Sequence, residues 1–310
     1  MRAECAGRLC RAQRALGESR WTAKRGWVLR VDFHMHSRHS DGALPLAHLL
    51  ERLVEAEVDL FAVTDHDTIG GVLEAQHLLS EGQVQGLEMV SGVELSCVWS
   101  GVTTHVVGLG FDCDSPSLNT YLAAIDKARE ARALKIADRL ASAGIPGSYE
   151  GAMALAEGAV LGRPHFARWM VETGFCDSAD QAFKKWLGRG KIGDVKLFWP
   201  DLKEAVSVIK ESGGKAVLAH PHHYGLTRAK LKRLVDAFVQ AGGVALERPL
   251  GKDHTDLSGY VTRLVKEYGL EISLGSDFHA DTQWGPRLGV DVGYLDGCEP
   301  VWSRWTDTRG

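Results

Sequence analysis

The chain has 310 residues, 45% of them hydrophobic and 25% charged, with a net charge of −4. That length suits one large domain or a domain with an inset, and the mild acidity supplies no global electrostatic case for nucleic-acid binding, although local basic patches can still do that work. No apolar run approaches the ~20 residues that span a bilayer. Six scattered cysteines (Cys5, Cys10, Cys97, Cys113, Cys176 and Cys298) form no Cys-x-x-Cys pair, which suits the reduced thiols of a cytoplasmic protein rather than a disulfide framework.

In the first thirty residues Arg2, Arg8, Arg11, Arg14, Arg20, Lys24, Arg25 and Arg30 face only Glu4 and Glu18. Without an apolar centre this is no secretory signal, and residues 1–27 are expected to be a disordered basic extension. From about residue 28 strands and helices alternate. Leu46, Leu49, Leu50, Leu53 and Val54 have helical spacing behind Pro45. A short buried strand is expected over 59–64, a helix over 70–80, and strands over 89–95 and 105–109. Such alternation implies parallel strands joined by helical crossovers. From 115 to 193 the pattern is helical instead, with one long amphipathic helix over 118–143 and shorter ones over 149–157, 165–172 and 178–187. Alternation resumes after Pro200, with helices over 202–212, 228–240 and 261–268 and strands over 215–219, 244–246 and 270–274. The organisation expected is an α/β unit over 28–112 and 199–300, an inserted helical cap over 113–198, and a tail over 301–310.

The chemistry lies in residues that follow apolar strands. His34 and His36, at i and i+2, share one face of a strand, so one ion can take both imidazoles, and Asp41 follows on a polar loop. His66 (between Asp65 and Asp67), Glu94, His105, His220, Asp277 and His279 recur at the ends of later strands. In a parallel α/β barrel those ends converge on one mouth. Six histidines and three carboxylates exceed the four to six donors of a single ion and suit two or three ions with shared carboxylates. The mixed set favours Mn²⁺, Zn²⁺ or Fe²⁺. Clustered ions activate water and clamp phosphoryl groups, so phosphate-ester hydrolysis is the reaction class expected.

The run Asp32-Phe33-His34-Met35-His36, Ser40-Asp41-Gly42, Thr64-Asp65-His66-Asp67, Gly92-Val93-Glu94-Leu95-Ser96, Thr104-His105-Val106-Val107-Gly108-Leu109, Ala219-His220-Pro221 and Gly275-Ser276-Asp277-Phe278-His279 resembles, in order, the PHP (polymerase and histidinol phosphatase) family. The resemblance implies a distorted (β/α)7 barrel with a trinuclear centre. Carried over by position, His34, His36, Glu94 and Asp277 would hold a first ion. Glu94 would bridge to a second, held by His105 and His220, while Asp41, His66 and His279 would hold a third. A hydroxide bridging the first two ions would attack phosphorus. Asp277 would orient it or take its proton, with Asp65 and Asp67 supporting the site.

The inserted segment, with 143–147, 162–168, 183–191 and 212–221, is similar to the subgroup that hydrolyses nucleoside 3′,5′-bisphosphates and trims short RNA from the 5′ end. It offers Arg163, His165, Arg168 and Arg189 as phosphate contacts, because guanidinium forks match phosphate geometry, and His223 at the mouth. Lys184, Lys185 and Lys191 suit a solvated face, and His39, His48, His77 and His254 suit ordinary positions. The chain departs from the subgroup at Asp194, at His222 and His223, and at Glu247-Arg248-Pro249-Leu250, which bears on substrate contacts rather than metal donors. The expected substrate is a nucleoside bisphosphate or short RNA, with neither a membrane nor a DNA duplex as partner and with Mn²⁺ preferred. The alternatives are a histidinol-phosphate phosphatase, in which the basic cap would have no role, and a metal-stabilised RNA-binding module without turnover.

Overall fold

Strand β1 (Arg30–Asp32) is short, and the chain passes through buried Phe33 into the loop bearing the His-x-His pair. Helix α1 (Leu46–Glu55) follows Pro45 and buries Leu46, Leu49, Leu50 and Leu53. Strand β2 (Leu60–Phe61), helix α2 (Gly70–Ser80) and strand β3 (Glu88–Met89) complete a first sheet in the order β3-β2-β1-β9, where β9 is Val290–Asp291. A second sheet has the order β4-β5-β6-β7-β8, from Gly92–Trp99, Val102–Leu109, Lys215–Leu218, Ala245–Glu247 and Glu271–Ser273.

The expectation of parallel pairing throughout is corrected here. β4 and β5 form an antiparallel hairpin, β5 and β6 are also antiparallel, and β9 runs antiparallel to β1. The two residues between β4 and β5, Ser100 and Gly101, both have positive φ. A connection that tight can only make a hairpin, since a parallel crossover needs a dozen residues or more. The strand expected over 89–95 is two strands, β3 and β4, in different sheets. β9 was not expected, being only two residues long.

The sheets join on both flanks through single bridges, Met35 to Phe278 and His66 to Glu94. Backbone bonds reinforce them: Phe33 N donates to Leu274 O (3.0 Å), Asp277 N to His34 O (2.8 Å) and Glu94 N to Asp65 O (3.2 Å). The segments carrying the histidines are thereby fixed to one another before any side chain is considered. Gly275 permits this approach, since a Cβ there would lie 2.2 Å from the Cβ of His34.

Between β5 and helix α7 (Leu202–Glu211) lie α3 (Pro116–Ser142), α4 (Ser148–Ala156), α5 (Arg163–Glu172) and α6 (Ala179–Ala182), the last continuing as a π-helical turn, Phe183–Leu187. These helices have their own apolar cluster, including Ile136, Leu140, Phe166, Met170 and Leu187. A larger cluster lies under the second sheet, with α7, α8 (Arg228–Ala241) and α9 (Thr255–Tyr268) packed on it. Helix α9 starts before the expected 261 because Ser258 and Leu257 extend its inward face.

The structure, a computed structural model, describes residues 29–195, 199–250, 255–282, 285–293 and 295–306. The basic leader, His254 and the end of the expected tail lie outside them. Leu29–Val301 forms one compact unit, and the short helix Ser303–Thr306 is not part of it. No helix among the described residues is long and apolar enough to cross a membrane.

Candidate metal centre

Glu94, fully buried in β4, is the hub of the site. Its Oε1 lies 2.9 Å from His105 Nδ1 and 2.8 Å from His220 Nε2. Its Oε2 lies 3.3 Å from the Nε2 atoms of both His34 and His36 and 3.0 Å from His66 Nδ1. Asp277 Oδ1 is 3.4 Å from the same two Nε2 atoms. On the far side Asp41 lies 3.7 Å from His36, 3.9 Å from His66 and 3.4 Å from His279.

All nine donors read from the sequence fall into overlapping groups whose ligand atoms lie within 4.8 Å of one another. The groups are His36, Asp41, His66 and His279; His34, His36 and Asp277; His34, Glu94 and His220; His66, Glu94 and His105; and His220, His223 and Asp277, the last adding His223 to the nine. Placement differs from expectation in one respect. Glu94 and His105 sit inside β4 and β5 rather than at strand ends. The hairpin runs through the mouth instead of stopping there.

His34 Nε2, His36 Nε2, His66 Nδ1 and Glu94 Oε2 are buried and make no hydrogen bond. Unsatisfied buried polar atoms are costly and rare. Here they all point at one another, which is the arrangement of a donor set for divalent cations. His220 and Asp277 have φ of 22° and 55°, a sparsely populated backbone region of the kind that gathers at functional sites.

Protonation follows from the same crowding. Burial would lower the His36 pKa, but the Asp277 and Glu94 carboxylates outweigh it and hold it at about 10. His34 is likewise raised against burial, chiefly by Glu247 and then Glu94. Burial lowers His66 to about 3, overriding Glu94 and Asp41. Burial would raise Asp41, Glu94 and Asp277, yet the surrounding imidazoles hold all three below the usual carboxylate range. Protons on His34 and His36 therefore stand where cations would balance the carboxylates.

Asp65 braces the loop that carries Asp41. It accepts from Ser37 N (2.8 Å), Ser37 Oγ (2.6 Å) and Ser40 Oγ (2.7 Å). Asp67 is engaged with Arg129, whose Nε lies 2.8 Å from Asp67 Oδ2, and it accepts from Ser96 N at 2.7 Å. Neither carboxylate belongs to a donor group.

The expected phosphate contacts do not form one cluster. His165 and Arg168 line a cavity of about 270 Å³ together with Arg38, Ser40 and Gly42, on the loop of Asp41. Arg163 donates to Leu187 O (3.1 Å) and faces Arg129 and Arg132 across a shallow depression. His223 stands at the mouth, 53% exposed, with Nδ1 3.8 Å from Asp277 Oδ2. Arg189 is exposed on the loop after the π-helical turn and is not among the cavity-lining residues. Of the histidines read as ordinary, His48 and His77 are exposed. His39 instead pairs with Glu74 and lines the cavity.

Three contributors were not anticipated. Arg129 looked like one more cation on a long helix, and only its burial reveals its role. Tyr224 Oη donates to Ala219 O (2.8 Å) and accepts from His105 N (3.0 Å), joining two donor-bearing segments. Glu247 ends a strand, close to the strand-end placement of His34, His66 and His220, and that pattern was the available signal.

Residues 32–146 match the PHP domain. The chain is 39% identical over 276 residues to a 5′-3′ exoribonuclease of Haemophilus influenzae, covering 89% of this chain and 99% of that one. It is 37% identical over 276 residues to a 3′,5′-nucleoside bisphosphate phosphatase of Chromobacterium violaceum, covering 89% and 96%. A solved structure described as an amidohydrolase from Chromobacterium violaceum, with bound sulfate and no metal, superposes with a TM-score of 0.81 at 36% identity, covering 89% of this chain and 95% of that one. The relatives mark the chain as a phosphoric ester hydrolase, and the clusters of His, Asp and Glu suggest divalent metals. The chain belongs to the PHP family.

Proposed function

We propose that this protein removes the 3′-phosphate from nucleoside 3′,5′-bisphosphates and trims short RNA from its 5′ end. The observation that carries the proposal is the convergence of nine donors, Glu94 among them, in overlapping groups, in a chain whose relatives bear those two names. Three divalent ions, Mn²⁺ preferred over Zn²⁺ or Fe²⁺, fit the set. One would take His34, His36, Glu94 and Asp277, a second Glu94, His105 and His220, and a third Asp41, His66 and His279, with His36 also in reach of the third. The two sheets with their flank bridges read as a distorted (β/α)7 barrel, and residues 113–198 as its cap. The thiols of Cys97, Cys176 and Cys298 support a cytoplasmic setting.

Divalent ions held at these donors would supply Lewis acidity toward the phosphoryl oxygens and activation of the attacking water. Asp277, whose Oδ1 faces His34 and His36, would accept the proton of that water at Oδ2, the oxygen turned toward His223. Asp65 keeps Asp41 in place through the Ser37–Ser40 loop, and Asp67 with Arg129 holds the backbone beside His66. His165 and Arg168 above the Asp41 loop, and Arg163 flanked by Arg129 and Arg132, recognise the second phosphate, with His223 at the entrance.

The test is kcat/KM of the Mn²⁺-loaded protein on adenosine 3′,5′-bisphosphate, on a 5′-phosphorylated short RNA and on histidinol phosphate. Hydrolysis of the first two and not the third is expected. Turnover of histidinol phosphate alone, or RNA binding without metal-dependent hydrolysis, would replace the proposal.

A further inference from the structure

Glu247 is the last residue of β7 and is 4% exposed. It is absent from every donor group, yet its Oε2 does two things at once. It lies 2.7 Å from His34 Nδ1 and accepts the backbone N–H of His220 at 3.2 Å. Those two histidines follow β1 and β6, which lie in different sheets. One carboxylate oxygen thus connects two donor-bearing segments.

The direction of the His34 bond matters. An imidazole that donates Nδ1–H to a carboxylate presents a lone pair at Nε2. Nε2 of His34 is the buried atom with no hydrogen bond, aimed at Glu94 Oε2 and Asp277 Oδ1. At His220 the same oxygen ties down a backbone N–H whose residue has a φ of 22°, a conformation that surrounding bonds have to impose. The side chain of His220 then carries Nε2 to within 2.8 Å of Glu94 Oε1.

We propose that Glu247 is a positioning residue of the metal centre, fixing the tautomer and direction of His34 and the backbone of His220 so that both Nε2 atoms face the same cluster. The inference rests on the metal-centre reading above, and it goes beyond the donor set itself. Outer carboxylates of this kind raise ligand basicity and hold ring orientation, and losing one commonly weakens metal affinity by about 10–100-fold.

The experiment uses the full chain, stripped with a chelator and then dialysed against stepped Mn²⁺, with bound metal counted by elemental analysis. Glu247→Ala is expected to lower the affinity of at least one Mn²⁺ by about 10–100-fold, and Glu247→Gln, which keeps an acceptor oxygen without the charge, by less. In the Zn²⁺-loaded wild type a slowly exchanging imidazole N–H should be visible by NMR and should disappear in Glu247→Ala. Excess Mn²⁺ should restore kcat in Glu247→Gln with KM unchanged, which a general packing defect would not allow. If Glu247→Ala fails to fold, the isosteric Glu247→Gln decides. Wild-type affinity and metal count in a folded Glu247→Gln, with the N–H signal intact, would overturn this inference alone. A wild-type protein that takes up no Mn²⁺, Zn²⁺ or Fe²⁺ would overturn the metal-centre reading beneath it.

Discussion

Replacing Arg129 by Met tests whether the Asp67 pair is a structural brace of the site. Arg129 and Asp67 are 7% and 3% exposed. The guanidinium gives Asp67 Oδ2 two donors, Nε at 2.8 Å and a terminal nitrogen, and reaches Ser96 Oγ at 3.2 Å. Without it, Oδ2 is a buried anionic oxygen with no donor, although Oδ1 keeps the Ser96 N–H. Breaking a buried pair from one side costs about 3–5 kcal/mol, which lowers the melting temperature of a domain of this size by roughly 6–20 °C. The companion variant Arg129→Met/Asp67→Asn removes both charges. Asparagine tolerates the φ of 53° at position 67, its amide can still accept from Ser96 N, and its NH2 can turn to Ser96 Oγ. Replacing both members of a buried pair is often close to neutral, so the double variant is expected to return to within about 1.5 kcal/mol of wild type. Denaturant unfolding of the chelator-treated proteins measures all three. A single variant that loses less than about 1 kcal/mol, or a double variant no better than the single, would refute the reasoning.

Metal affinity should climb with pH, because ions displace the protons that His34 and His36 retain above the ordinary histidine value of 6.5, up to about 10 for His36; chelator competition from pH 6 to 9 checks this, and a flat profile would contradict it. Stability of the metal-free protein runs the other way. The raised histidines contribute fully below about 6.5 and lose that contribution as pH rises toward about 10, while Asp41, Glu94 and Asp277 contribute above their ordinary values of 3.8 to 4.5 and lose it as pH falls. Asp277→Asn should cost turnover by about 10²–10⁴-fold with an unchanged circular dichroism spectrum, and near-normal activity would remove Asp277 from the proton-accepting role. Gly275→Ala puts a Cβ 2.2 Å from that of His34 and should destabilise by about 1–3 kcal/mol and weaken Mn²⁺ uptake; unaltered melting and uptake would show that the two segments can separate freely.

Much of this molecule was legible along the chain. Histidines and acids after apolar runs identified the donor types, because strand period and apolar patterning are local properties, and the helical run from 116 to 187 declared itself by the same means. What one dimension could not supply was direction and pairing. Whether β4 and β5 run parallel depends on a two-residue turn, and whether Asp67 works on substrate or on structure depends on an arginine 62 residues away. Glu247 shows the limit most plainly. Its position at a strand end could be read, but its bond to a histidine 213 residues earlier exists only because two sheets close on each other. Residue type and spacing therefore determined which chemistry this chain carries. Which atoms meet, and which carboxylates face the histidine cluster, was decided by burial and long-range contact in the folded state.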